Sequence, residues 1–126
     1  MINKNFIENL FKTLLHKIPI AVFWKNLHSV FLGCNQHFAN YASLFLPEEI
    51  IGKTDYDLPW KKFQGDRYRR DDVQIIKNKQ PMLNVEEPLT LANGDEIVLL
   101  TNKIPILSNE DEVIGILGMS RSEEHT

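Results

Sequence analysis

Apolar residues near the N-terminus recur at Ile7, Leu10, Phe11, Leu14, Leu15 and Ile18, the three-and-four spacing of one face of an α-helix. Asn5 followed by Glu8 forms a capping pair at its start, and His16 and Lys17 suit its negative end. Pro19 stops the helix. The period then changes. Residues 21–25 and 29–34 are short β-prone runs around a turn at Asn26-Leu27-His28. Asn35 is placed to cap a short helix carrying Phe38, Ala39, Tyr41 and Ala42. Pro47, Gly52 and Pro59 break residues 47–60 into turns and short helical pieces. A longer helix is predicted over 64–79, with apolar positions at Tyr68, Val73, Ile75 and Ile76 and Pro81 just past its end. Three β-prone runs follow at 83–91, 96–107 and 113–119; the first two flank Asn93-Gly94, a strong hairpin signal. Hairpins at both ends with helices between them predict an antiparallel sheet with helices on one face, the α+β class.

Composition narrows the class without naming a function. The chain has 126 residues, 43% hydrophobic and 25% charged, which is one globular domain and not a disordered segment. No apolar run approaches the ~20 residues of a spanning helix, so membrane insertion is not expected. The single cysteine, Cys34, cannot form an internal disulfide, which fits a reducing cytoplasmic setting. The net charge of −3 argues against nucleic acid as a partner.

The residues that could carry chemistry do not assemble into a catalytic set. His16, His28, His37 and His125 stand apart, with no metal-ligand spacing. Asp55 with Asp57, and Asp71 with Asp72, are close in sequence, but acid–base work needs two carboxylates converging on one bound group. Capping and salt bridging are the simpler roles. Lys61, Lys62, Arg67, Arg69 and Arg70 are interrupted by Asp66, Asp71 and Asp72, the pattern of a solvated helix face. No catalytic residue and no metal ligand is assigned, and the chain is not expected to be an enzyme.

Five segments, in order and spacing, resemble the PAS sensory domains of bacterial sensor histidine kinases and diguanylate cyclases. They are VFWKN at 22–26, FLGCNQHFAN at 31–40, EEIIGKTDYDLPW at 48–60, YRRDDVQIIKNKQP at 68–81, and the stretch 85–121 from VEEPLTLANGDEIV to GILGMSR. The resemblance covers about residues 18–121. It implies the PAS fold, a five-stranded antiparallel sheet with helices on one face and a ligand pocket beneath them. The organisation it implies is a flanking amphipathic helix over 1–18, a PAS domain over 19–121 and a tail over 122–126. The family usually ends in Asp-Ile-Thr after the last strand; here Arg121 is followed by Ser122-Glu123-Glu124.

The function implied is a regulatory sensor module of a bacterial two-component or related signalling protein. It would bind a small molecule or a partner and relay a signal to an output domain elsewhere in a parent chain, a histidine kinase or diguanylate cyclase. The pocket is expected between the sheet and residues 67–79, lined by Trp24, Phe38, Tyr41, Tyr68, Val73, Ile76, Leu100 and Asn102, with Tyr68 and Asn102 supplying polar contacts. Ile7, Leu10, Phe11, Leu14 and Leu15 are expected to form a homodimer interface, the flanking helix packing on its counterpart. The ligand is unknown. Haem is not expected, because in haem-binding relatives the ligand lies on the longer helix, and 64–79 contains no histidine. A covalent flavin is not expected either: Cys34 precedes Asn35 at a strand end, the reverse of the flavin light-sensor motif. Asn93-Gly94-Asp95-Glu96 is spelled like the signature loop of diguanylate cyclases, but a hairpin turn accounts for it. The alternatives are a ligand-free dimerisation scaffold and a small enzyme using its Asp and His residues.

Overall fold

The computed structural model describes residues 2–123. His125 and the greater part of the 122–126 tail therefore lie outside the described residues. Helix α1 (Lys4–Lys17) is followed by strands β1 (Ala21–Lys25) and β2 (Phe31–Cys34), helix α2 (Gln36–Tyr41), two single 3-10 turns (Pro47–Ile50 and Asp55–Asp57), and helix α3 (Lys61–Asn78). Strands β3 (Met82–Thr90), β4 (Glu96–Leu107) and β5 (Val113–Ser122) complete the chain. The five strands form one antiparallel sheet in the order β2-β1-β5-β4-β3, the α+β architecture expected from the element order.

The element ends show which local signals win. The cap of α1 is Asn3, not Asn5: its side chain accepts the Phe6 N–H at 2.8 Å. Starting two residues earlier satisfies an amide that would otherwise be orphaned at the helix end. Helix α3 begins at Lys61 rather than residue 64, because the amides of Gln64 and Gly65 both reach back to the Trp60 carbonyl. It ends on Lys79 in the left-handed region (φ 53°), whose N–H bonds the Ile75 carbonyl, and Pro81 lies beyond.

Three hairpins share one loop design. In each, three loop residues follow the pivot and the third has positive φ: Ser29 at 61°, Gly94 at 92° and Asp111 at 62°. Around Asn93-Gly94 the Leu91 amide donates to Asp95 O at 2.8 Å and the Gly94 amide to Leu91 O at 2.9 Å. The hairpin is therefore a type I turn closed by a left-handed residue, not a two-residue turn. Asn26 and Ser108 begin the other two, and their side-chain oxygens accept loop amides as well.

The core fills the space between the inner sheet face and α2, α3 and the 3-10 turns. Phe23, Phe31, Phe38 and Trp60 pack there ring on ring, with centroids 4.8–5.7 Å apart. Phe23 lies flat across β5 because position 118 is glycine: a Cβ there would stand 2.0 Å from the ring. Trp24 uses Gly33 the same way on the outer face, where a Cβ would meet its ring at 2.2 Å. Asn35, fully buried, ties these layers together. Its Oδ1 accepts from the Val22 and Phe38 amides, and its Nδ2 donates to the Leu15 and Ile20 carbonyls. All four of its hydrogen-bonding sites are used.

Helix α1 stands apart from this core. None of its residues is buried, and Ile7, Leu10, Phe11 and Leu14 are 46–57% exposed. No helix among the described residues is long and apolar enough to cross a membrane. Gly118→Val should push Phe23 off the sheet and destabilise the fold by roughly 1–3 kcal/mol, the usual cost of overpacking. Urea unfolding of the variant beside the parent protein measures it.

Candidate functional site

Strand alternation sends Phe23 and Lys25 of β1, Leu99, Thr101 and Lys103 of β4, and Ser120 of β5 into the interior. Opposite them, α3 turns inward a face made of Gln64, Gly65, Tyr68, Asp72 and Ile75. Its spacing is helical but its composition is mostly polar. Between sheet and helices lies a cavity of about 30 Å³, room for one or two waters. Phe23, Phe38, Trp60, Tyr68, Leu89 and Leu99 form its apolar wall. Lys25, Asp55, Glu87, Thr101, Lys103 and Ser120 supply its polar lining.

The polar lining is organised around two buried lysines. Lys25 is 1% exposed, and its ammonium lies 2.6 Å from Asp55 Oδ2 and 2.8 Å from Asp72 Oδ2. The other oxygen of Asp55 accepts from the Trp60 indole N–H at 2.8 Å; the other oxygen of Asp72 has no hydrogen-bond partner. The ammonium also sits over the Phe31 ring, 4.8 Å from its centroid. Burial alone pushes the Lys25 ammonium toward its neutral form, but the Asp55 and Asp72 carboxylates overcome that and hold its pKa above the ordinary lysine value. Lys103 is 4% exposed; it lies 3.3 Å from both Asp71 and Glu87 and 4.6 Å from the centre of the Tyr68 ring. The Tyr68 hydroxyl donates to the Pro88 carbonyl. Burial first, and then the nearby Glu87 charge, push its pKa up. Thr101 and Ser120 hydrogen-bond each other at 2.9 Å across β4 and β5.

Of the eight residues expected to line a pocket, Phe38 and Tyr68 stand on the cavity wall. Trp24, Leu100 and Asn102 point to the outer sheet face, one residue out of phase with Phe23, Lys25, Leu99, Thr101 and Lys103. Leu100 and Asn102 border a shallow outer depression beside Met119 and Arg121. Val73, 44% exposed, and Ile76 miss the cavity because the inward face of α3 runs through Tyr68, Asp72 and Ile75. Tyr41 packs against the edge of the core and does not reach the cavity. The residues that sequence reasoning missed are chiefly the charged ones: Lys25, Asp55, Glu87 and Lys103. The available signal was a lysine inside the β-prone run AVFWK and another inside 96–107.

The remaining candidates have structural places. Asp55, Asp71 and Asp72 are in ion pairs, and Asp57 Oδ2 accepts the Thr54 amide at 2.9 Å. Cys34 is buried away from the cavity, beside Pro47 and under α1. Burial, with Glu48 nearby, pushes its thiol up to about 12, so almost none is thiolate at neutral pH.

A family model described as the PAS fold matches residues 15–122. A search of the curated proteins finds no match. Among solved structures, the Vibrio cholera VqmA–ligand–DNA complex superposes with a TM-score of 0.80 at 20% identity, covering 92% of this chain and 50% of that one. This chain thus spans half the length of that VqmA chain. The PAS domain of Bordetella pertussis BvgS gives a TM-score of 0.76 at 15% identity, with 94% and 88% covered. A domain of a sensor histidine kinase/response regulator from Geobacter sulfurreducens gives 0.69 at 17%, with 94% and 96% covered. At these identities the likeness is one of fold. It nevertheless overturns the expectation that nucleic acid is excluded as a partner. VqmA is a DNA-binding receptor of the LuxR type, and a net charge of −3 on a PAS domain does not bar nucleic acid as a partner of the protein that carries it.

At pH 8, Lys25→Met should cost roughly 3–5 kcal/mol, because it strands two buried carboxylates. The raised pKa values of Lys25 and Tyr68 both mean stability that is complete below the unfolded-state pKa, about 10 for both types, and lost as pH climbs through the folded-state value. Urea titrations at pH 8 and pH 11 should show the parent protein weakening sharply, and Lys25→Met losing less over the same interval.

Proposed function

The chain belongs to the PAS family, and from that premise we propose that it is the sensory module of a bacterial signalling protein, binding a small molecule in the cavity under its sheet. The observation that supports this is the cavity lining. Two lysines and their carboxylates are buried around an aromatic wall, where an apolar filling of the same volume would be neutral or more stable. Besides seating α3 on the sheet, these groups turn polar atoms toward the cavity, which a recognition site uses. The ligand is dissociable. Cys34 stands away from the cavity and offers no attachment point for a flavin, and a space of about 30 Å³ is far below the size of a haem. Occupancy biases how α3 and the 3-10 turn at Asp55–Asp57 sit on the sheet, and β5 carries that bias to an output domain in a longer cytoplasmic parent, a sensor kinase of a two-component system in our reading.

Native mass spectrometry of the freshly purified protein should show a small adduct that disappears on unfolding. Thr101→Ile, which takes up the cavity with a β-branched side chain of modest extra volume, should abolish the adduct while the protein stays folded. A protein that carries no adduct, and whose melting temperature no small molecule raises, would be a scaffold instead.

We also propose that the module works as a homodimer through α1. The stripe Ile7, Leu10, Phe11, Leu14 and Leu15 is largely uncovered by its own domain, and a 14-residue helix is marginal in water without a partner. Leu10→Glu combined with Leu14→Glu should give a folded monomer by light scattering, with unfolding free energy changed by less than about 1 kcal/mol. Loss of folding in that variant would assign the stripe to its own subunit.

A further inference from the structure

The charges around the cavity constrain what can enter it. Two ammoniums, Lys25 and Lys103, face four carboxylates, Asp55, Asp72, Asp71 and Glu87. Each ammonium is already shared by two acids, and one oxygen of Asp72 still lacks a donor. We propose that the ligand of this cavity is a very small uncharged molecule bearing a hydrogen-bond acceptor, of the amide or carbonyl class, and that anions are refused. The proposal rests on the sensory reading above and specifies the chemistry of its ligand.

Three considerations lead to that class. An anion entering the cavity leaves its water shell and meets a surplus of negative charge, with no uncommitted cation to offset the loss. A cation meets the opposite obstacle close at hand. Of the aromatic faces on the wall, Phe23 and Tyr68 already carry the protein's own ammoniums, Lys25 at 5.3 Å and Lys103 at 4.6 Å, so a third cation would sit beside two like charges. Uncharged acceptors meet neither penalty. Each lysine has three N–H donors with two committed to carboxylates, which leaves one apiece. The Thr101–Ser120 pair uses one hydroxyl proton internally and leaves the other free. A compact molecule with one or two acceptor atoms and an otherwise apolar surface takes up these donors while its remainder packs on Phe38, Trp60 and Leu99.

Acetamide, acetate and acetamidinium have the same shape and carry no charge, a negative charge and a positive charge. Each is titrated to about 100 mM, the range that so few atoms demand, into the isotope-labelled full chain, following the backbone amides of Leu99, Thr101 and Ser120 by NMR. Acetamide should shift these resonances saturably, with acetate and acetamidinium at least about tenfold weaker. Glu87→Gln, which removes one lining charge, should raise the affinity for acetate relative to acetamide by about tenfold. Acetate or acetamidinium binding as tightly as acetamide overturns the ligand class and leaves the sensory reading standing. If none of the three moves these resonances, the ligand class falls, and the sensory reading falls with it only if the native mass spectrum also shows no adduct.

Discussion

The ammonium of Lys25, held between Asp55 and Asp72, is the constraint from which the interior is arranged. It joins three elements distant in sequence: β1, the 3-10 turn at Asp55–Asp57, and α3. A charge of this kind is tolerated inside a protein only when its partners are at contact distance, because desolvation costs several kcal/mol per ion. The geometry therefore cannot drift. Were α3 to rotate so as to bury its apolar residues Val73 and Ile76, Asp72 would leave the ammonium, and Asp55 alone would have to offset its burial. The helix keeps Val73 largely exposed instead, and Tyr68 falls on the cavity wall as a consequence.

The second lysine extends the same logic across the sheet. Lys103 joins β4 to β3 through Glu87 and to α3 through Asp71. Adjacent acids on α3 thus serve different strands, Asp72 reaching β1 and Asp71 reaching β4. The cavity lies where these two ionic links and the aromatic cluster leave a gap. Its polar character is not decoration on an apolar core, since the same bonds that place α3 also furnish the lining.

Helix α1 obeys a different economy. It is anchored near its C-terminal end, where Asn35 holds the Leu15 and Ile20 carbonyls and Phe11 meets Trp24 edge-on with centroids 5.9 Å apart. Its apolar stripe continues onto the groove formed with Leu32 and Ile51. The core cluster holds no side chain of this helix, and most of its stripe is exposed.

Much of the architecture was legible in the residues themselves. Periodicity located α1, β-prone runs between turn residues located all five strands, Asn35 announced the cap of α2, Pro81 marked the end of α3, and Asn93-Gly94 announced a hairpin, because these signals are local and act within a few residues. The ends moved where a local rival was stronger, as with Asn3 over Asn5 and the Trp60 carbonyl at the start of α3. The site was much less legible. Reading Trp24, Leu100 and Asn102 as cavity residues reversed the strand phase, since a central strand with apolar side chains on both faces gives alternation nothing to choose between. Reading Val73 and Ile76 as the inner face of α3 assumed that apolar residues face inward. The tertiary structure decided otherwise, because Lys25 needs Asp72, and a buried ion pair outweighs the burial of one or two methyl-bearing side chains. Which acid meets which lysine depends on separations of 30 and 47 residues, and no local pattern encodes such a pairing.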